Sequence, residues 1–229
     1  MNRTQVIQQI INKKAARSYL EIGVYNAKNF SEIKAWKKIA VDPTFKFTKR
    51  KRIKRAFKNV FNIFAQYHET TSDNFFANFA LPKPIDVIFI DGLHTYSQSL
   101  RDITNSLNIL ADNGVVIMHD CNPPHECAAL AADSLDHATS LSLPEWTGEW
   151  CGDVWKTICY LRSFRDDIKV FVLDCDYGLA IITKGQPCST LDLSKKDIAA
   201  MNYSDLVKNR TNLLNLKDTS YFSAFLDTI

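Results

Sequence analysis

Residues 85–96, Ile-Asp-Val-Ile-Phe-Ile-Asp-Gly-Leu-His-Thr-Tyr, hold an apolar run that ends abruptly in an acid, a glycine and a histidine. Val87 to Ile90 reads as a strand buried on both faces, the mark of a parallel sheet covered by helices on each side. Asp91-Gly92-Leu93-His94 is then the loop leaving its carboxyl end. The pattern recurs where Val115-Val116-Ile117-Met118 runs into His119-Asp120-Cys121-Asn122-Pro123-Pro124. In open α/β sheets ligands bind beyond the carboxyl ends of the strands. Two neighbouring strands of this kind would bring Asp91, His94, His119 and Asp120 to one rim.

From Arg17 onward, short apolar runs alternate with helical stretches, as a parallel sheet wrapped by helices requires. After an amphipathic N-terminal helix within 1–16, with Thr4 as its candidate cap, strands are expected at Ser18–Val24, Lys38–Val41, Val60–Ala65, 85–91 and 115–118. Helices are expected from Asn29 to Trp36, with Asn29 or Ser31 as cap, from an N-cap at Ser72, over Tyr96–Leu110 and over Gly152–Phe164, with Asp112-Asn113-Gly114 turning into the fifth strand. Ile168–Leu173 and Leu179–Thr183 are separated only by Asp174-Cys175-Asp176-Tyr177-Gly178. So short a link makes them an antiparallel hairpin, which is not the nicotinamide-dehydrogenase arrangement. A chain of 229 residues, 46% hydrophobic, buries a full core as one domain spanning 1–229. Within it, 125–150 is too long for a plain connection and reads as a lid or substrate wall, and 189–229 as a helical appendage.

Charge and cysteine usage narrow the function classes. No apolar run approaches the ~20 residues of a membrane span, and the N-terminus lacks the apolar core of a signal peptide, so a cytoplasmic location is expected. Six cysteines, at 121, 127, 151, 159, 175 and 188, form no CxxC pair and are expected to be reduced. The net charge of +3 conceals a concentrated basic run: Lys46, Lys49, Arg50, Lys51, Arg52, Lys54, Arg55 and Lys58, with no acid between Pro43 and His68. Three readings stay open for it. It is the solvated outer face of a helix, a patch for an anionic substrate or membrane surface, or a nucleic-acid contact, the last disfavoured because no recognition motif accompanies it.

Several segments resemble the motifs of class I S-adenosylmethionine-dependent methyltransferases. Tyr19-Leu20-Glu21-Ile22-Gly23-Val24-Tyr25 resembles the first, in which a strand ends in an acid and a glycine and the following turn wraps the methionine end of the cofactor. Val41-Asp42-Pro43 resembles the second, whose acid accepts hydrogen bonds from the ribose hydroxyls. Thr70 to Phe76 is similar to the segment flanking the adenine, and Ile85 to Asp91 to the fourth motif. The run from there through Leu100-Arg101-Asp102-Ile103 to Pro123, with Gly152 to Lys156 and Lys208-Asn209-Arg210, resembles a bacterial subgroup associated with glycan and natural-product biosynthesis. The resemblance implies a Rossmann-like α/β fold of seven mostly parallel strands in the order 3-2-1-4-5-7-6, ending in an antiparallel hairpin. It implies S-adenosyl-L-methionine as cofactor, held by Glu21, Gly23, Tyr25, Asp42, Ser72, Asp73, Asp91 and Gly92. One departure stands out: the first loop has Gly23 alone where the family carries two or three glycines. Their absence argues against a pyrophosphate-binding loop but leaves a cofactor without phosphate in play.

Transfer to a hydroxyl benefits from a group that removes its proton. His94, three residues beyond Asp91, is the first choice for that base, with His119 and Asp120 as further acid/base candidates. Some related sugar O-methyltransferases use acids at these strand ends to hold Mg²⁺, which points to Asp91 and Asp120 as ligands, although histidine stands where a second acid would be expected. Zinc at His119, Cys121, His125 and Cys127 is a weaker alternative, matching no common spacing. Trp146, Trp150 and Trp155 are core residues or a sugar-stacking surface. The activity expected is O-methylation of a sugar, glycan precursor or small metabolite. The alternatives are N-methylation of an amino sugar or amine, and a non-catalytic cofactor-fold protein whose basic helix docks acidic partners; a homo-oligomer stays open as the assembly in each case.

Overall fold

The computed structural model describes residues 1–79 and 84–229. Helix α1 (Arg3–Lys14) buries Val6, Ile7, Ile10 and Ile11, a stripe at helical spacing. Its cap is Asn2 rather than Thr4: Asn2 accepts from the Gln5 amide while the Gln5 side chain accepts from the Asn2 amide, a reciprocal capping box. Thr4 instead donates to Asn29 across 2.8 Å. Next come β1 (Ser18–Ile22), α2 (Lys28–Glu32), β2 (Lys37–Asp42), α3 (Lys49–Lys58), β3 (Gln66–Glu69) and α4 (Ser72–Asn78). The chain continues through β4 (Ile85–Ile90), α5 (Tyr96–Ile109), β5 (Leu110–Met118), α6 (Leu135–Ser140) and α7 (Trp155–Phe164). It closes with β6 (Ile168–Leu173), β7 (Leu179–Lys184), α8 (Lys195–Ala200), α9 (Tyr203–Leu214), β8 (Leu216–Lys217) and α10 (Tyr221–Leu226).

The sheet runs β3-β2-β1-β4-β5-β7-β6-β8. β7 is antiparallel to both β5 and β6, so the expected hairpin is present, and the remaining pairings are parallel. The expected seven strands become eight because the two-residue β8, from the helical appendage, pairs with the end of β6. Strand side chains alternate between two cores. Leu20, Ile88, Ile90 and Val116 pack against α5, α7, α8 and α9. Tyr19, Val87, Phe89 and Ile117 pack against α1, α2 and α10.

Several boundaries differ from the sequence expectation, each for a local reason. The third strand lies at Gln66–Glu69, not Val60–Ala65, because residues 60–62 form a short 3₁₀ turn. Asn59 and Asn62 anchor that turn by donating to the carbonyls of Ser31 and Ile33, and to Ser31. The polar residues therefore face inward, leaving Val60, Ile63 and Phe64 exposed. The first crossover helix shrinks to Lys28–Glu32 and has no side-chain cap; Ala27, with φ 55°, precedes it. Thr71, not Ser72, caps α4, and α7 starts at Trp155 rather than Gly152. The 112–114 turn is absorbed into β5, opposite a register shift between Ile85 and Val87. Segment 125–150 contains α6 and a small apolar cluster of Ala132, Ala138 and Trp150. Trp155 belongs to the main core, and all six cysteines are free.

Strand register positions the site. Ile22 pairs with Val41 and with Ile90, and Ile90 with Met118, so four parallel strands end level. Backbone bonds carry the ladder one residue further: Gly23 N to Val41 O at 2.9 Å, Asp91 N to Ile22 O at 2.8 Å and His119 N to Ile90 O at 2.9 Å. The loops beginning at Gly23, Asp91 and His119 consequently leave one rim side by side.

Candidate active site

Gly23 holds φ +84°, and a Cβ there would lie 1.8 Å from the Asp91 carbonyl oxygen. No other residue fits that crossing of the first loop with β4. The turn that follows lacks further glycines, and Tyr25 (φ 48°) and Ala27 (φ 55°) adopt the left-handed conformation in their place. Each costs about 1–2 kcal/mol relative to glycine, and the surrounding bonds hold them there. Asp42, buried at the end of β2, accepts from the Tyr25 amide through Oδ2 at 2.6 Å and from the Thr44 amide through Oδ1 at 2.8 Å. Burial raises its pKa, opposed by these two N–H donors. Each oxygen keeps a lone pair after one N–H, and two adjacent acceptors at a rim suit the vicinal hydroxyls of a ribose. This part of the rim fits the nucleoside of S-adenosylmethionine.

Glu21 lies beneath the rim, fully buried and hydrogen-bonded to the Tyr19 hydroxyl and to Asn29 Nδ2, the latter at 2.8 Å. Burial pushes its carboxyl up to about 7 despite these donors. Its visible role is to brace β1 against α2. Ser72 and Asp73 open α4 and both accept from Gln98 Nε2 at 3.2 Å. Gly92 sits over Asp102, whose Oδ2 would be 3.2 Å from a Cβ at Gly92. That oxygen is buried and unpartnered.

The four residues expected at the rim do converge, and two more join them. His94 Nε2 lies 3.1 Å from Asp120 Oδ2 and 3.4 Å from Asp91 Oδ1. His119 Nδ1 lies 2.8 Å from the same Asp120 oxygen and 3.4 Å from the same Asp91 oxygen, and its Nε2 is 3.4 Å from Asp176 Oδ1. The Asp120 contact is close but misaligned, so His119 Nδ1 makes no hydrogen bond. Arg3 binds Asp91 through Nη1 at 2.7 Å and Asp176 through Nη2 at 2.9 Å. Arg3 and Asp176 carry no sequence signal of their own: one is a lone cation opening an amphipathic helix, the other an acid in a hairpin link.

Electrostatics within this knot are balanced. Burial pulls both histidines toward neutrality, yet Asp120 and Asp91 outweigh it, pushing His94 up to about 9 and His119 well above its usual range. Burial likewise works against ionised Asp91, but His119 and His94 hold it well below the usual carboxylate range. In this arrangement three carboxylates face Arg3 and two imidazolium rings. His94, first choice for the base, thus titrates above the ordinary histidine value of about 6.5.

The same balance bears on metal. Asp91, His94 and Asp120 present ligand atoms within 4.8 Å of one another. Mg²⁺, however, takes oxygen ligands almost exclusively, whereas here a ring nitrogen, His94 Nε2, stands between the two carboxylates at 3.1 and 3.4 Å and Arg3 occupies Asp91 Oδ2 at 2.7 Å. The donor set as arranged does not fit Mg²⁺. Nor does the structure gather a zinc site at His119, Cys121, His125 and Cys127; Cys121 Sγ is turned to the carbonyls of Met118 and His119.

Two neighbouring segments fix the rim. Asp120 has φ 62°, and the chain after it is held by Cys121 N to Gly178 O at 3.1 Å and Asn122 N to Tyr177 O at 2.8 Å. Arg210 clamps this stretch from α9, binding Asn122 Oδ1 and, at 2.8 Å, the Pro123 carbonyl. From the other side, Gly152 (φ +59°) lies against the His94 backbone, where a Cβ would be 1.8 Å from the His94 carbonyl oxygen. Two open grooves, of about 430 and 490 Å³, lie elsewhere, along α8–α9 and at the amino ends of the strands.

Residues 20–121 match the family model of a methyltransferase domain. No curated protein sequence matches the chain. Solved structures share its fold. The O-methyltransferase TomG of Streptomyces achromogenes, in complex with S-adenosylmethionine, superposes with TM-score 0.55 at 12% identity, over 80% of this chain and 81% of that one. An O-methyltransferase of Bacillus cereus bound to S-adenosylhomocysteine gives 0.55 at 11% identity, over 81% and 82%. A Podospora anserina methyltransferase bound to S-adenosylhomocysteine gives 0.57 at 15% identity, over 81% and 80%. Residues 20–121 thus match a methyltransferase domain, and the fold is the Rossmann-like one that these S-adenosylmethionine- and S-adenosylhomocysteine-bound structures share.

Proposed function

We propose that this chain is an S-adenosylmethionine-dependent methyltransferase acting on a hydroxyl oxygen of a sugar, glycan precursor or related small metabolite. The observation that carries the reading is His94 Nε2 set between Asp91 and Asp120 at the rim where the parallel strands end. When bound, S-adenosylmethionine supplies an activated methyl group. Asp42 holds the ribose, the loop from Gly23 to Tyr25 wraps the methionine end, and Ser72 and Asp73 flank the adenine. Methyl transfer needs alignment above all, and segment 125–150, closed over His94 at Trp150, walls the acceptor in.

Proton handling falls to the knot. The Trp150 carbonyl fixes the His94 proton on Nδ1, so Nε2 is the nitrogen that exchanges protons with the acceptor hydroxyl. Its neutral form takes the hydroxyl proton, and Asp120 and Asp91 stabilise the imidazolium that results. His119 and Asp120 act through this network by orienting His94. No step is assigned to Mg²⁺, whose charge the arrangement does not call for.

The test is transfer of a deuterated methyl group from the cofactor to panels of neutral sugars, amino sugars and small phenols, with the product bond located by mass spectrometry and NMR. Ether formation on a sugar or related hydroxyl supports the reading. Products methylated solely on nitrogen would replace it with amine methylation, and absence of cofactor binding would leave a non-catalytic fold.

A further inference from the structure

Helix α3 is turned inside out. Arg52 and Arg55 cover aromatic rings of the domain, Tyr67 at 4.1 Å and Phe47 at 5.4 Å, and Arg55 Nη2 also donates to the Asn26 carbonyl at 2.7 Å. The side facing the protein is therefore cationic, and no residue of the helix is buried. Its apolar residues point the other way: Ile53 is 59% exposed and Phe57 86%, followed by Phe64 at 79%. Trp36, 69% exposed, lies in edge contact with Phe61 of the turn that follows the helix, at 4.9 Å. A surface helix normally lays its apolar stripe on the core, so this stripe is left without a cover by the fold itself.

The charges around the stripe identify the cover. Lys49, Arg50, Lys51 and Arg52 crowd the first turn, where the helix dipole is already positive and an acid would be favoured. None of the cations from Lys46 to Lys58 has a carboxylate within salt-bridge distance among the described residues. A short helix with a basic flank and protruding Phe and Ile is the pattern of a segment lying in the headgroup layer of a bilayer. Clustered Lys and Arg add attraction to anionic lipids.

We infer that α3 and the turn after it dock this domain on a membrane surface of anionic phospholipid, with Phe57 and Phe64 entering the headgroup region. Arg55 Nη2 donates to the Asn26 carbonyl and the Lys46 backbone N–H to the Tyr25 carbonyl, so the docking surface adjoins the cofactor loop. The inference does not depend on the identity of the methyl acceptor.

The experiment is co-sedimentation of the full chain with vesicles of phosphatidylcholine alone and of phosphatidylcholine mixed with phosphatidylglycerol, over a series of salt concentrations. Binding is expected only to the anionic vesicles and is weakened by salt. The triple variant Lys49→Gln, Arg50→Gln, Lys51→Gln should lose roughly a hundredfold in partitioning. Phe57→Ser should lose about tenfold through the apolar part alone, with the thermal transition of both variants unchanged. Failure to sediment with anionic vesicles overturns the inference. So does a concentration-dependent dimer abolished by Phe57→Ser without vesicle binding, which would assign the face to a second copy. Tight binding to RNA that is indifferent to Phe57→Ser, in the absence of vesicle binding, would likewise overturn it.

Discussion

His94 Nδ1 lies 2.5 Å from the carbonyl oxygen of Trp150, 56 positions further along the chain. A carbonyl only accepts, so the ring keeps a proton on Nδ1 and turns Nε2 toward Asp91 and Asp120. The long irregular segment thereby decides which face of the imidazole meets the acceptor.

With His94 as base, His94→Ala should lower kcat by about 10² to 10⁴ while leaving the Kd for S-adenosylmethionine nearly unchanged. Turnover by rapid quench and binding by calorimetry separate the two. Equal losses in both would make His94 a binding residue.

The pH profile follows from the same geometry. Burial lowers the His94 pKa, but Asp120 and Asp91 raise it to about 9. The neutral base is therefore scarce below that value, and kcat/KM should climb with pH, reach half its plateau at about 9 and level off above it. Removing the nearer carboxylate with Asp120→Asn should shift the rising limb toward the ordinary histidine value of about 6.5. A limb that stays in place in Asp120→Asn assigns the titration to another group.

Asp42→Ala should weaken cofactor binding by one to two decades, from the loss of about 1.5–3 kcal/mol in hydrogen bonds to a charged acceptor. Because Asp42 also ties down Tyr25 and Thr44, the unfolding midpoint has to be measured beside the affinity. Retained affinity in a folded variant would move the ribose site elsewhere.

Chelation offers a direct check on the charge balance at the rim. Activity should be the same in EDTA as in added Mg²⁺, since Arg3, His94 and His119 already face the three carboxylates. Loss of activity in EDTA, restored by Mg²⁺, would show that the cation displaces those protons.

Stability should carry the signature of Glu21. Burial raises its folded pKa to about 7 from 4.5, so between those values the native state holds a proton that the unfolded chain has released. Its contribution is fully present below 4.5 and is lost as pH rises through 7, a swing of about 3 kcal/mol. Denaturant titrations of Glu21→Gln should lack this slope. An unchanged slope in the variant would trace it to another group.

Legibility in the sequence followed apolar continuity. β4 and β5 stand out because they are buried on both faces, and their ends delivered Asp91, His94, His119 and Asp120 together. The hairpin followed from a link too short for any crossover. β3 was misplaced because its own residues, Gln66 to Glu69, are polar and half-covered at the sheet edge, while the apolar run before it is exposed. Arg3 and Asp176 were silent for a different reason: a pairing across 173 positions leaves no local pattern. Positive φ at Tyr25 and Ala27 was equally hidden, since neither residue type advertises it.

The bridge from Arg3 to Asp91 and Asp176 also sets a timetable for the growing chain. Arg3 leaves the ribosome before Asp91 and His119, and Asp176 follows them only with the hairpin of β6 and β7. Until that hairpin docks, the arginine has one of its two anchors and His119 lacks its third carboxylate neighbour. A nascent chain therefore carries an incompletely latched rim until the β6–β7 hairpin docks, so the rim assembles late in biogenesis.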